Sequence, residues 1–167
     1  MIRRATDTDT DRLCEIWLYS NLDAHNFIPE KYWRDNLPLV RESLKEAEIY
    51  VFEDEDISGF IGLTELIGVD FEPKDDPRLR KDDPVIPRKS GVKYIAGLFV
   101  DASKRSKGTG KALLDFAKRK NDCLYLSVYE KNPRAVNFYL REGFEIIKEN
   151  IDEATGEKEL QMCFIKS

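Results

Sequence analysis

This sequence predicts a mixed α/β fold, one domain over residues 1–167, with a mostly antiparallel sheet of about seven strands flanked by about four helices. Three observations carry that reading. A chain of 167 residues can bury a single core without disulfides or metal. The front half runs through a short strand and two helix-period segments into a hairpin, and the back half reads strand, helix, strand, helix, hairpin. Between the halves, Tyr94 to Val100 is an almost unbroken apolar strand, expected to be central and buried on both faces.

Ile2 to Ala5 reads as the first strand, and Thr6 with Asp9 three residues on is a capping box that opens a helix whose inward stripe is Leu13, Ile16, Trp17 and Ser20. A second helical stretch from about Pro29 to Ala47 carries Tyr32, Trp33, Leu37, Leu39, Val40 and Leu44, with Pro38 expected to break or kink it. Ile49 to Phe52 and Phe60 to Leu66 form a hairpin around the acidic turn Glu53 to Asp56. Residues 67–92 hold Pro73, Pro77, Pro84 and Pro87 among mixed charges, which leaves no room for a regular element. They read as an inserted surface loop, in preference to any functional element.

After the strand at Tyr94, a basic loop over Asp101 to Lys107 leads into a helix over Lys111 to Lys120, with Leu113, Leu114, Phe116 and Ala117 inward. Cys123 to Val128 is the next strand, Asn132-Pro133 caps a helix running to Glu142, and Gly143 ends it. Glu145 to Ile147 and Leu160 to Ile165 form a closing hairpin across Asp152 to Lys158.

Composition excludes several classes. A net charge of −5 argues against nonspecific binding along a nucleic-acid backbone. No apolar run approaches membrane-spanning length, and Met1-Ile2-Arg3-Arg4 passes straight into polar residues, so a soluble cytoplasmic protein is expected, without membrane partners. Cys14, Cys123 and Cys163 are odd in number and lie in apolar stretches, as reduced buried thiols do, and no metal site is expected.

The chemistry concentrates at Arg105-Ser106-Lys107-Gly108-Thr109-Gly110-Lys111. A strand, a basic glycine-bearing loop and a helix start form an anion site, because backbone N–H groups point outward there and the helix dipole favours negative charge. A nucleotide P-loop would need glycine at Arg105 and serine or threonine at Ala112, and a dinucleotide fingerprint would need a third glycine. Neither pattern is met.

Leu98-Phe99-Val100 followed by Arg105-x-x-Gly108-x-Gly110 resembles the acetyl-CoA signature of the GNAT superfamily of N-acetyltransferases. Downstream, Asn132-Pro133-Arg134-Ala135-Val136-Asn137-Phe138-Tyr139-Leu140-Arg141-Glu142-Gly143-Phe144 is similar to its second signature. Ile16-Trp17-Leu18, His25-x-Phe27-Ile28 and Tyr32 to Arg41 resemble the front half of small bacterial members of the YiaC type, and the resemblance spans nearly all but residues 67–92.

The resemblance implies acetyl-CoA as co-substrate and a splay between the fourth and fifth strands that admits its pantetheine arm. Leu98, Phe99 and Val100 would hold the arm by backbone groups, Arg105, Ser106, Lys107, Gly108, Thr109, Gly110 and Lys111 the pyrophosphate, and Asn132 and Asn137 would contribute from the second signature. An amine attacks the thioester directly. Tyr139 would be the general acid for the departing thiolate, a role for which a phenol protonated at neutral pH is suited. On periodicity alone it reads as a core tyrosine beside Phe138, and the match over Asn132 to Phe144 reverses that reading. His25, the sole histidine, would accept the amine proton or merely order the first loop. Tyr94 and Glu65 are further residues for lining the acceptor pocket, and Cys123 suits a small buried hydrophobe better than a nucleophile. The acceptor stays open among protein lysines, protein N-termini, amino sugars and small amines. A non-catalytic acetyl-CoA sensor is the alternative, and the oligomeric state is unread.

Overall fold

The computed structural model describes residues 1–65 and 91–167, so the expected insertion, apart from Gly91 and Val92, lies outside the described residues. Seven strands form one sheet in the order β1-β2-β3-β4-β5-β7-β6. The chain divides into two compact units, Met1–Thr64 with Ile95–Ala117, and Glu65–Tyr94 with Lys118–Ser167.

In the first unit, β1 (Ile2–Arg4) pairs antiparallel with β2 (Glu48–Glu53), which pairs antiparallel with β3 (Ile57–Thr64). The capping box forms: the Thr6 N–H donates to Asp9 Oδ2 at 2.8 Å and opens a short 3₁₀ turn that leads into α1 (Thr10–Ala24). Arg3 clamps Asp9 and Glu53 together, and it holds the Asp9 carboxyl down to about 2, chiefly through its hydrogen bond. Leu13 and Ile16 of α1 pack on Ile49, Val51, Ile57 and Phe60, with Trp17 at the margin.

Helix α2 (Glu30–Glu46) runs through Pro38 without breaking. Pro38 is exposed, so the helix carbonyl it cannot serve is left to solvent rather than buried. Of the expected inward residues of α2 only Trp33 is fully buried, and Leu39 is exposed.

β4 (Val92–Val100) also departs from expectation. Only Ile95 along it is fully buried, and Leu98, Phe99 and Val100 stay partly open, so the unbroken apolar run does not mark a strand covered on both faces. Its registered parallel pairs with β5 (Cys123–Tyr129) are Val92↔Cys123, Lys93↔Leu124 and Tyr94↔Tyr125, while β4 itself continues to Val100.

In the second unit, β7 (Lys158–Ile165) lies between β5 and β6 (Glu145–Ile151), antiparallel to both. The closing hairpin is therefore built back into the sheet, and β6 is its edge. Helix α3 (Thr109–Lys120), which belongs to the first unit through Ala117, buries Leu113, Leu114 and Ala117 completely, with Phe116 against the ring of Tyr50 at 4.6 Å. All three cysteines are free and buried, as expected.

Candidate acetyl-CoA and acyl-transfer residues

The loop after β4 is fixed before it reaches the helix. Asp101 accepts from the Ser103 N–H at 2.9 Å and the Ser103 hydroxyl at 2.7 Å, which ties off a turn at Ala102–Lys104. The same carboxylate takes Arg12 of α1 at 2.8 Å, and Arg12 also donates to the Ile57 carbonyl at 3.0 Å. These bonds, led by those from Ser103, hold the Asp101 carboxyl down to about 2. Neither Arg12 nor Asp101 is legible as an anchor in the sequence, because the bond spans 89 positions.

Two backbone positions then turn left-handed, Ser106 at φ 63° and Gly108 at φ 85°. A Cβ on Gly108 would meet nothing within 4 Å among the described residues, so the glycine answers to backbone conformation and leaves open ground in front of the helix. The Gly108 carbonyl accepts the first helical bond, from the Ala112 N–H at 2.9 Å. Gly108 is thus the N-cap, and the N–H groups of Thr109 and Gly110 have no carbonyl of their own helix to meet. A loop that presents such groups at the positive end of a helix suits a pyrophosphate.

The basic side chains divide their work. Arg105 is ion-paired to Asp23 and donates to the Val100 carbonyl at 3.3 Å, so it braces the loop. Lys111 pairs with Asp115 at 2.8 Å across one turn, and Lys107 is exposed. His25 closes α1: its ring stacks on Trp33 at 5.3 Å and 26°, edge-on to Phe27. Asn21 Nδ2 donates to the Trp17 carbonyl at 2.9 Å, which turns Asn21 Oδ1 to His25 Nδ1 at 3.0 Å, so Nδ1 carries the imidazole proton. Burial pushes the His25 pKa down to about 4 and keeps the ring neutral.

In the second unit, the Asn-x-x-Ala and Gly-Phe parts of the second signature are the two caps of α4 (Pro133–Arg141). Asn132 Oδ1 accepts from the Ala135 N–H at 3.2 Å at the start. At the end the Phe144 N–H donates to the Tyr139 carbonyl at 3.0 Å and the Gly143 N–H to the Leu140 carbonyl at 3.1 Å, the paired bonds of a Schellman motif. The hydrophobic contact that accompanies this motif is Phe144 on Tyr139 itself, ring centroids 5.5 Å apart. Tyr139 is 8% exposed. Burial, then the nearby Tyr94, push its pKa well above the ordinary phenol value. Asn137 is exposed on the same helix. Tyr94 is bonded to Ser127, and Glu65 is ion-paired to Lys93.

A mixed sheet with one parallel pair, followed by an anion-ready helix start, defines an acetyltransferase fold. The model for the acetyltransferase (GNAT) family matches residues 10–144, and the chain belongs to that family. It is 32% identical over 149 residues to the peptidyl-lysine N-acetyltransferase YiaC of Escherichia coli K12, covering 88% of this chain and 84% of that protein. It is 27% identical over 145 residues to the peptidyl-lysine N-acetyltransferase YjaB of the same strain, covering 87% and 82%. Among solved structures, apo YjaB from Escherichia coli superposes with a TM-score of 0.73 at 24% identity, over 100% of this chain and 98% of that one. The PaiA N-acetyltransferase of Thermoplasma acidophilum, solved in complex with coenzyme A, gives 0.69 at 19% identity over 96% of each chain. The protein is an acetyl-CoA-dependent acetyltransferase. Among the described residues no helix is long and apolar enough to cross a membrane.

Proposed function

We propose that the chain, as one acetyltransferase domain, moves the acetyl group of acetyl-CoA to a primary amine, with a protein lysine side chain as the acceptor. Relatives named as peptidyl-lysine N-acetyltransferases support that acceptor class. The pyrophosphate is held by the backbone of Ser106 to Lys111 and drawn in by Lys107 and Lys111, while Arg105 fixes the loop. The partly open run Leu98, Phe99 and Val100 takes the pantetheine arm.

The observation that carries the mechanism is Tyr139: a buried phenol, held at the capped end of α4. The neutral amine adds to the thioester carbon, the tetrahedral intermediate collapses, the C–S bond breaks, the thiolate takes the Tyr139 proton, and the proton shed by the new amide nitrogen returns through solvent to the Tyr139 phenolate. Burial raises the proton affinity of the phenolate, but a desolvated thiolate is raised in the same way, so the transfer keeps its driving force. His25 holds the end of α1; with its pKa pushed down to about 4 it is too weak a base to compete for an ammonium proton.

The test is Tyr139→Phe, assayed by thiol release over a panel of amines and by acetyl-CoA titration. Turnover is expected to fall by about 10²-fold or more with affinity for acetyl-CoA kept. Equal turnover in the two proteins would assign the proton to another donor.

A further inference from the structure

On β7 the residues Glu159, Gln161, Cys163 and Ile165 alternate onto one face of the sheet. Register places Tyr129 and Asn150 beside Glu159, Ser127 beside Gln161, and Tyr125 beside Cys163. The face has two halves. Cys123, Tyr125 and Cys163 are fully buried with Val92, Tyr94, Ile147 and Ile165 around them, an apolar cluster. The other half is polar and short of donors.

There Gln161 is 6% exposed, yet among the described residues its Oε1 has no hydrogen-bond partner, and neither has the buried Oδ1 of Asn150. Each amide oxygen left so costs about 1–3 kcal/mol, unless something that binds there supplies a donor. Asn150 Nδ2 donates to Glu159 Oε2 at 3.4 Å, Ser127 bonds the same carboxylate, and Asp152 lies against it, itself bonded by the Tyr129 hydroxyl at 2.6 Å. Lys148, the register partner of Gln161, is exposed and does not reach its free oxygen. Two unpaired amide oxygens and a carboxylate on one face call for a ligand with several N–H donors and a positive charge.

We infer that this polar half-face is a binding site for a primary ammonium group, the side-chain amine of the acceptor, taken by Gln161 Oε1, Asn150 Oδ1 and the Glu159 carboxylate. Glu159 and Asn150 are only half-buried. An ammonium has three donors in a compact head and can serve all three acceptors at once, which a hydroxyl or thiol cannot. Burial and the neighbouring Asp152 raise the Glu159 carboxyl, the signature of a negative centre without enough positive charge around it. The acceptor identity rests on the proposed amine acetylation; the affinity for an ammonium does not.

The experiment uses the full chain with CoA present. The side-chain amide resonances of Gln161 and Asn150 are followed by NMR while Nα-acetyl-lysine methylamide is added, and again with the norleucine analogue, which lacks the ammonium. Saturable shifts with the lysine compound alone are expected. Gln161→Met should weaken that binding and raise KM for a lysine peptide by about 10-fold or more. Its acetyl-CoA affinity and thermal stability should hold or improve, because an unpaired buried polar atom has been removed. Gln161→Glu, of the same shape, should tighten lysine binding instead. Equal shifts with both compounds, or a Gln161→Met protein with unchanged KM, would mean that the oxygens hold an ordered water only and would overturn the inference. Wild-type protein that binds the lysine compound but acetylates no amine would sink the proposed function and leave this site standing.

Discussion

Gly108→Ala separates what the protein asks of this residue from what the ligand asks. The substituted residue must keep φ near 85°, a left-handed conformation that costs a side-chain-bearing residue about 1–2 kcal/mol. For a chain of this size that strain lowers Tm by roughly 3–6 °C. Among the described residues nothing else should object, since none lies within 4 Å of the new methyl. The pyrophosphate would have to share that space. Losing one charge-assisted backbone contact should weaken acetyl-CoA by about 10-fold to 100-fold. Gly156→Ala is the control: φ is 74°, the space around it is equally open, and it lies between β6 and β7. Both variants are melted and titrated with acetyl-CoA by calorimetry. A similar fall in Tm for both, with affinity lost only in Gly108→Ala, is expected; two variants with equal acetyl-CoA affinity would refute the cradle.

Two further outcomes follow from the caps and the histidine. His25 is ordinarily protonated near 6.5 and only near 4 in the fold, so below 6.5 the unfolded chain takes up the proton first. Its contribution is full above pH 6.5 and fades toward pH 4, by on the order of 2 kcal/mol after allowing for the ring's partial exposure. Urea unfolding at pH 7.5 and 4.5 should show that loss in wild type and not in His25→Gln, in a window above that of Asp9 and Asp101; parallel losses would contradict it. Asn132→Ala should cost about 1 kcal/mol through the lost cap while Asn132→Asp does not. If the Asn132 amide also holds the pantetheine arm, both should bind acetyl-CoA more weakly, as titration will show.

What the sequence discloses here is what short range determines. Thr6 with Asp9, Asn132 with Ala135, and Gly143 with Leu140 are contacts within a turn or two, and each reads directly from spacing. Pro38 misleads because propensity counts a lost hydrogen bond as fatal, whereas on an exposed helix face solvent replaces it. The apolar run at Tyr94 to Val100 misleads too, since a strand's composition does not say which groups cover it. The Arg12 to Asp101 anchor and the polar face around Gln161 depend on strand register, above all on β7 entering between β5 and β6, which no local pattern encodes.

Acetyl transfer itself can be followed with isotope-labelled acetyl-CoA and a lysine-bearing peptide, with peptide mass and free CoA recorded over time. The proposed reaction predicts one label on the lysine Nε for each CoA released. CoA released with no labelled amine, or a labelled cysteine of the protein in its place, would contradict direct transfer to an amine.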